Sequence, residues 1–251
     1  PRLTQAMAAG TYAVDRVTSR SRVVVTTTTP VASYRGAGRP EATAAIERAV
    51  DLFAAEVGLD PAEVRRRNLV PRFDEPHTTA TGATYDTGDY PAALERALAA
   101  AGYDELRAEQ ARRRAAGDPI ALGIGVSPYV EVTTGPRAGA EVGWVEVRGG
   151  EGGVEVVVGT GASPHGQGLA TALAMVVSDH TGLPLDAVRV VHGDTDLVTG
   201  GTGTFGSRSL QLGGSAVRGA VVEVVEQARR LAAEQLEAAA EDVVLDPATG
   251  R

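Results

Sequence analysis

The stretch GTGASPHGQG, residues 159–168, joins a run of valines at Val154–Val158 to a helical pattern that starts near Gln167. A short β-branched run predicts a buried strand, and the glycines after it predict a tight loop. Backbone N–H groups at a helix start attract anions, and glycines let a ligand approach the main chain. The amide of Gln167 suits a heterocycle. The stretch therefore predicts a ligand loop between strand and helix, and an ordinary strand-to-helix turn is an equally supported alternative.

A second glycine-rich stretch, GTGTFGSRS at residues 201–209, precedes another long helical pattern. Its G-x-G-x-x-G at 201–206 is a weak match to a dinucleotide fold, because His192–Thr199 separate it from the preceding strand. A nicotinamide dehydrogenase is therefore only a weak alternative. The hydroxyls, the guanidinium and the free N–H groups at a helix start favour a phosphate cradle. The side chains of this cradle are Ser207, Arg208 and Ser209.

Between the two loops lies HGDTD, residues 192–196, with one histidine and two carboxylates. The other histidines form no ligand spacing with it, so a metal site is a weak interpretation. Asp and Gly after a strand favour a turn instead.

A third candidate is SYRGAGRPEA, residues 33–42. Gly36 and Gly38 let the chain turn sharply after Arg35, which would direct its guanidinium into a cleft. The competing interpretation is that Arg35 and Arg39 pair with nearby carboxylates such as Glu41, as most arginines do.

The remaining patterns predict an α+β fold whose two parts meet near residue 118, after GDP at 117–119. Mostly helices are predicted before this point, and strands alternate with helices after it. The predicted helices are Glu41–Val57, a short helix to Asn68, Pro91–Ala101, Asp104–Ala115, Gln167–Thr181 and Ser209–Ala239. The predicted strands are Val23–Thr29, Ala121–Thr133, Glu141–Val147, Val154–Val158 and Val188–Val191, with residues 71–89 as a connecting loop and 149–153 as a hairpin turn.

Charge and composition exclude several classes of function. The 251 residues carry a formal net charge of −8 and 4% aromatic residues, which argues against nucleic acid or an anionic membrane as main partner. The chain has no cysteine, so it has no disulfide, thiolate metal site or iron–sulfur ligand of its own. No apolar run approaches the roughly 20 residues that cross a bilayer. These features favour a cytoplasmic protein.

The two ends of the chain favour a fragment of a longer protein. It starts Pro-Arg-Leu-Thr without Met, and a strand-like run ends in the turn signal DPATGR, residues 246–251. Such a turn normally leads into another strand.

Four stretches stand in a specific order: SYRGAGRPEA (33–42), GTGASPHGQGLATAL (159–173), HGDTD (192–196) and GTGTFGSRSLQLGGSAV (201–217). In this order they resemble the molybdenum-cofactor-binding large subunit of the xanthine dehydrogenase/aldehyde oxidase family, nearest to the aerobic carbon monoxide dehydrogenase type. The likeness covers essentially the whole chain. It implies two molybdopterin-binding subdomains of mixed sheets and packed helices. Residues 1–117 would be the end of the first with connecting helices, and 118–251 the start of the second.

The resemblance also implies roles for particular residues. Arg35 would face the substrate pocket, where a guanidinium stabilises negative charge that develops on the substrate. Gly166, Gln167 and Gly168 would contact the pterin part of the cofactor. The segment that would hold the pterin and its phosphates is Thr204, Phe205, Gly206, Ser207, Arg208 and Ser209. No side chain of this chain would ligate the metal.

The family further implies a cofactor and partner subunits. The cofactor is molybdenum–molybdopterin, in bacterial relatives usually as the cytosine dinucleotide. A small-molecule substrate is oxidised with water as oxygen source, and electrons pass to iron–sulfur clusters on a small subunit and FAD on a medium subunit. Two such heterotrimers would form a dimer.

The chain departs from the family in three places. Its RGAGR turn at 35–39 lacks the cysteine that binds copper in carbon monoxide dehydrogenases, so aldehydes or N-heterocycles are the expected substrates. An upstream Phe-Gly-Gly segment and the later glutamate base have no counterpart in these residues. Both absences support a fragment that is inactive by itself, and a non-catalytic structural homologue is the alternative.

Overall fold

The chain divides into two units, Pro1–Val132 and Thr133–Arg251. Helices are the main regular elements of the first unit, and a three-stranded sheet organises the second. The computed structural model describes residues 2–29, 34–134, 139–150 and 153–246. Ser33 of the arginine turn, residues 151–152 of the glycine turn and the final 247–251 lie outside them. The sequence places the division at 117–118, and the assignment of each part to one domain stays a prediction.

The N-terminal unit, Pro1–Val132, is built from five helices and a small hairpin in its described residues. Two short strands, His77–Thr78 and Thr84–Tyr85, pair antiparallel within the segment predicted as a loop, so the sequence missed this hairpin. The helices at 41–57, 61–68, 91–101 and 104–115 are confirmed to within two residues. The elements are α1 (Arg2–Ala6), α2 (Arg39–Val57), α3 (Pro61–Asn68), β1 (His77–Thr78), β2 (Thr84–Tyr85), α4 (Tyr90–Ala101) and α5 (Tyr103–Ala116).

Local capping chemistry sets the boundary between α2 and α3. Gly58 ends α2 in the left-handed conformation, with φ of 68°. Asp60 then caps α3, because its carboxylate accepts from the N–H groups of Ala62 (2.8 Å) and Glu63 (3.4 Å). Pro61 occupies the first helical position, where its missing N–H costs nothing.

Two strand predictions in this unit are wrong. Val23–Thr29 forms no strand, and its valines are exposed, Val25 by 92%. Residues 121–132 also have no ladder, although Ile124 and Val126 pack on the apolar cluster of α4. A strand requires a partner for its backbone groups, and β propensity alone does not supply one.

The C-terminal unit, Thr133–Arg251, is centred on a sheet of three strands, which in spatial order are β3 (Gly143–Gly150), β4 (Gly153–Thr160) and β5 (Val188–Val191). The β3–β4 hairpin is antiparallel, with Gly143 opposite Thr160, and β5 runs parallel to β4, with Val188 opposite Val156. The connection from β4 to β5 passes through α6, as a parallel pair requires. The elements are β3 (Gly143–Gly150), β4 (Gly153–Thr160), α6 (Leu169–Thr181), β5 (Val188–Val191) and α7 (Ser215–Leu236).

The predicted helix Ser209–Ala239 starts with a π-helical turn, Ser209–Gly214, before α7. It ends earlier than predicted because Glu237 adopts the left-handed conformation, with φ of 50°. The core of the unit lies between the sheet and helices α6 and α7. Its fully or nearly buried members are Val156, Val158, Ala162, Leu169, Leu173, Val177, Val217 and Val221.

Candidate functional site

Two glycine-rich loops of the C-terminal unit lie against each other. The first glycine loop, residues 159–168, connects β4 to α6, and the second glycine loop, residues 200–209, precedes the π-helical turn. The hydroxyl of Thr204 joins them, because its oxygen accepts from the Ser163 N–H at 2.8 Å. Ser209 Oγ donates to the same oxygen at 3.0 Å. The two stretches that the sequence identified separately therefore form one surface.

Glycine is required where the loops meet. A Cβ at Gly161 would stand 2.5 Å from the Gly200 carbonyl oxygen and 2.6 Å from a carboxylate oxygen of Glu141. A Cβ at Gly201 would stand 2.7 Å from the Gly161 Cα, and Gly201 also has a φ of 111°. Any side chain at either position would push the loops apart.

Gln167 stands at the exposed end of the first glycine loop. Its Oε1 accepts from the N–H of His165, and its Nε2 donates to the Ser163 carbonyl at 3.3 Å. Gly166 and Gly168 flank it in the left-handed conformation, and a Cβ on either would meet no atom within 4 Å. The loop thus orients the Gln167 amide and leaves open space beside it.

Arg208 points into the protein and not towards solvent. Its Nη2 lies 3.2 Å from Glu141 Oε2, and both side chains are 0% exposed. Nη2 also donates to the Ala140 carbonyl at 2.9 Å. The exposed ring of Phe205 lies 5.1 Å from the Arg208 guanidinium carbon, within cation–π range. The positive charge of the second loop is therefore buried beneath its surface.

The donors at this surface fit an anionic heterocyclic cofactor. The first turn of α6 has no side-chain cap, so the start of this helix, directly after the first glycine loop, offers backbone donors for an anion. The Ser209 hydroxyl and the Gln167 amide add polar groups. Within the described residues, Nε and Nη1 of Arg208 are buried without a hydrogen-bond partner, so two donors below the loops are unsatisfied although the charge is paired with Glu141.

The turn that carries Arg35 is tightly constrained. Gly36, Ala37 and Gly38 all have positive φ, of 99°, 49° and 99°. A Cβ on Gly36 would collide with the Pro40 ring at 2.5 Å. Arg35 itself is exposed, and no other described residue forms a hydrogen bond or ion pair with it. Among the described residues the Arg35 guanidinium therefore has no partner, and the alternative pairing of Arg35 with Glu41 is not formed.

Arg39, unlike Arg35, pairs with groups of the protein itself, which was the competing interpretation for both arginines. Its side chain is nearly buried, and Nε donates to the Gly36 carbonyl at 2.9 Å. Its other nitrogens contact the Val132 carbonyl and the Glu131 carboxylate, the latter at 3.1 Å. Arg39 thereby closes the turn that displays Arg35.

The HGDTD stretch forms a turn. The Asp194 carboxylate accepts from the Asp196 N–H at 2.9 Å, and the Asp194 carbonyl accepts from the Val198 N–H at 2.8 Å. Across the part of the chain that the structure describes, no cluster of three His, Asp or Glu side chains is arranged to hold a metal ion. In the same part, no helix combines the length and apolar character of a membrane span.

Sequence reasoning missed Glu141 and Trp144. The Trp144 ring covers Gly159, where a Cβ would collide with it, and its Nε1 donates to the Leu197 carbonyl at 3.1 Å. Glu141 is sandwiched between the two glycine loops. A lone glutamate before a strand carries no pattern, so no sequence signal marked its burial.

The family models give the same description to two parts of the chain. Residues 1–69 and residues 96–250 each match the molybdopterin cofactor-binding domain. The second match alone covers more than half of the chain.

Individual relatives agree. The chain is 39% identical over 252 residues to the 6-hydroxypseudooxynicotine dehydrogenase complex subunit gamma of Paenarthrobacter nicotinovorans, over 97% of this chain and 30% of that protein. It is 35% identical over 238 residues to the carbon monoxide dehydrogenase large chain of Hydrogenophaga pseudoflava, over 91% of this chain and 30% of that one. It thus spans less than a third of the length of these relatives.

Among solved structures, quinoline 2-oxidoreductase from Pseudomonas putida 86 matches 97% of this chain and 31% of its own, with a TM-score of 0.83 and 33% identity. The fold, the paired loops and the family models agree, and we conclude that the chain belongs to the molybdopterin cofactor-binding domains of the molybdenum hydroxylase and dehydrogenase catalytic subunits.

Proposed function

We propose that this chain is part of a catalytic subunit that oxidises an N-heterocycle or an aldehyde with water as the oxygen source. The names of two relatives, which refer to 6-hydroxypseudooxynicotine and to quinoline, support the N-heterocycle. The absence of cysteine from the chain argues against copper-dependent oxidation of carbon monoxide. The joining of the two glycine loops through Thr204 is the observation that carries the proposal.

The chain's own residues would bind and orient the cofactor. The Gln167 amide would hydrogen-bond the pterin, with Gly166 and Gly168 leaving room for it. Main-chain N–H groups and hydroxyls over residues 204–209 would hold the phosphates. The main chain of Arg208 would belong to this set, while its guanidinium stays paired with Glu141 below the loop surface. When bound, the molybdenum–molybdopterin group supplies the centre that takes two electrons from the substrate.

Arg35 would act on the substrate. The net reaction adds an oxygen atom from water to the substrate carbon and releases two protons and two electrons. Negative charge develops on the substrate as the carbon is attacked, and the Arg35 guanidinium, which has no partner among the described residues, could stabilise it. The electrons would pass to iron–sulfur clusters and FAD on a small and a medium subunit, in a cytoplasmic dimer of heterotrimers.

The cofactor proposal is tested on the full-length protein by measuring molybdenum and pterin. Thr204→Val removes the hydroxyl that joins the two glycine loops, and we expect it to lower pterin content about tenfold. Thr181→Val is the control, because it removes a threonine hydroxyl bond to Val177 at the far end of α6. Release of CMP on acid hydrolysis would identify the cytosine dinucleotide. Wild-type protein without molybdenum or pterin would refute the proposal.

The catalytic role is tested with Arg35→Met. We expect kcat/KM to fall about 10²–10³-fold with pterin content unchanged, as for the loss of one oxyanion donor. Arg48→Met is the matched control, since Arg48 is another exposed arginine of the same unit. Equal kinetics of the two variants would return Arg35 to an ordinary surface residue. A bound cofactor without turnover of any heterocycle or aldehyde would favour the non-catalytic homologue.

A further inference from the structure

Glu141 lies immediately before β3, and its carboxylate is inserted between the two glycine loops. Its Oε1 would stand 2.6 Å from a Cβ at Gly161, and it would also collide with a Cβ at Gly201. Oε2 accepts from the Thr202 N–H at 3.4 Å. One buried carboxylate therefore contacts both loops, each at a position where only glycine fits.

Arg208 fixes this carboxylate from within the second glycine loop. Its Nη2 lies 3.2 Å from Glu141 Oε2, and neither side chain has any exposed surface. The same nitrogen donates to the carbonyl of Ala140, the residue before Glu141. The pair thus ties the segment that enters β3 to the end of the second loop, with the first loop packed against the carboxylate.

Net stability is a weak reason to bury such a pair. The desolvation of two charges offsets most of their attraction, and apolar residues of similar volume often stabilise as well or better. A buried pair does fix geometry, because moving either partner leaves an uncompensated charge. A site whose loops are held in place before binding loses less free energy on ordering them.

We propose that Glu141 and Arg208 are positioning residues that set the spacing of the two glycine loops and so pre-organise them for the ligand. That the ligand is the molybdopterin cofactor rests on the function proposed above. The spacing itself is a property of this chain and is measurable without any ligand.

The test compares Glu141→Gln with Glu47→Gln in the full-length protein. Glu47 is the matched control, because it forms the buried ion pair of the N-terminal unit with Arg65, at 2.8 Å. Hydrogen exchange is measured on the cofactor-free protein over residues 159–168 and 200–209, and pterin content on the protein purified from cells. Thermal unfolding of both variants records the loss of stability.

We expect Glu141→Gln to speed exchange in both loops by about tenfold and to lower pterin content, whereas Glu47→Gln lowers the melting temperature without either effect. Unchanged exchange in one or both loops, or equal changes in the two variants, would overturn the proposal. Faster exchange in both loops of a protein that holds no pterin even as wild type would support the positioning role and refute the proposed function.

A second pair of variants serves if Glu141→Gln does not fold. Gly161→Ala adds a methyl group against the Gly200 carbonyl oxygen and the Glu141 carboxylate, at a residue without positive φ, and we expect it to speed exchange in the same two loops. Gly149→Ala is its control, since a Cβ there meets no atom within 4 Å. If Gly161→Ala exchanges like Gly149→Ala, the loops are not held by this contact and the proposal fails.

Discussion

The two units bury polar groups in different ways. In the N-terminal unit a polar network lies in the interior, where Arg65 pairs with Glu47 at 2.8 Å and with Asp51 at 2.9 Å. Tyr12 donates to the same Glu47 carboxylate at 2.6 Å. In the C-terminal unit the sheet and its helices enclose an apolar core, and the buried Glu141–Arg208 pair lies at the glycine loops instead.

This difference distinguishes buried charges that hold the fold together from buried charges that lie at the candidate site. The network around Arg65 joins α2 to α3, far along the chain from any glycine loop, so its task is to hold helices. The pair in the C-terminal unit contacts loops that lie mostly outside helices and strands. A buried charged pair therefore points to a functional role only when the elements that it connects belong to a candidate site.

The comparison is easy to test because each unit has its own optical probe. All six tyrosines lie in the N-terminal unit, and the single tryptophan, Trp144, lies in the C-terminal unit. Tyrosine near-ultraviolet signals and tryptophan fluorescence therefore follow the two units separately.

The largest effect on stability is expected from Arg65→Met. It leaves the Glu47 carboxylate buried without its cation, which costs about 3–5 kcal/mol. Urea unfolding followed by the tyrosine signal should show this loss, while the tryptophan transition stays in place. Arg48→Met, on the exposed face of α2, is the control. A cost below 1 kcal/mol for Arg65→Met would mean that the network does not hold the helices.

A smaller loss, about 3 kcal/mol, is expected from Leu173→Ala in the C-terminal unit. Leu173 is fully buried between α6 and the sheet, so the change removes apolar contacts and leaves a cavity. Tryptophan fluorescence should report it. Leu231→Ala, on the exposed side of α7, should change stability by less than about 0.5 kcal/mol. If Leu173→Ala shifted the tyrosine transition equally, the two units would unfold together.

The sequence predicted those elements whose causes are local. Asp60 with Pro61 specifies the start of α3, and Gly58 specifies the end of α2, because capping needs only neighbouring residues. The β-branched run Val188–Val191 is a strand with the predicted bounds, since β4 is there to pair with it. The sequence predicted the two glycine loops because glycine-rich stretches directly before a helical pattern are typical of such loops.

The remaining features depend on residues far apart in the chain. Val23–Thr29 has the composition of a strand but no strand partner in the part of the chain that the structure describes. The contact of Thr204 with Ser163 and the pairing of Glu141 with Arg208 each join segments that no periodicity links. Burial of Arg208 was missed for the same reason, because a basic residue beside two serines reads as a surface ligand.

Alkaline pH should destabilise the N-terminal unit, which contains all six tyrosines, more than the C-terminal unit. Burial raises the pKa of Tyr85 to about 12, from 10.0 for an ordinary tyrosine. Above pH 10 the unfolded chain releases this proton while the folded unit retains it, so stability is intact below pH 10 and falls as pH rises towards 12. Burial also raises the pKa values of Tyr12, Tyr90 and Tyr103.

The measurement is urea unfolding at a series of pH values from 8 to about 12, followed with both probes. The tyrosine transition should weaken over pH 10–12, and Tyr85→Phe should flatten that slope. Tyr85→Phe also loses the bond to the Gly10 carbonyl, so its stability at neutral pH should fall by about 1 kcal/mol. Tyr34→Phe, at an exposed position, is the control. An equal alkaline slope for Trp144 fluorescence would remove the distinction between the units.

The smallest effects are expected where the two units are alike, at exposed ion pairs. Glu95 pairs with Arg66 at 2.6 Å in the N-terminal unit, and Glu155 pairs with Arg189 at 2.9 Å across β4 and β5. Solvent screens both pairs, so Glu95→Gln and Glu155→Gln should each cost less than about 1 kcal/mol and less still in high salt. If Glu95→Gln cost as much as Arg65→Met, charge alone, and not its burial, would stabilise the N-terminal unit.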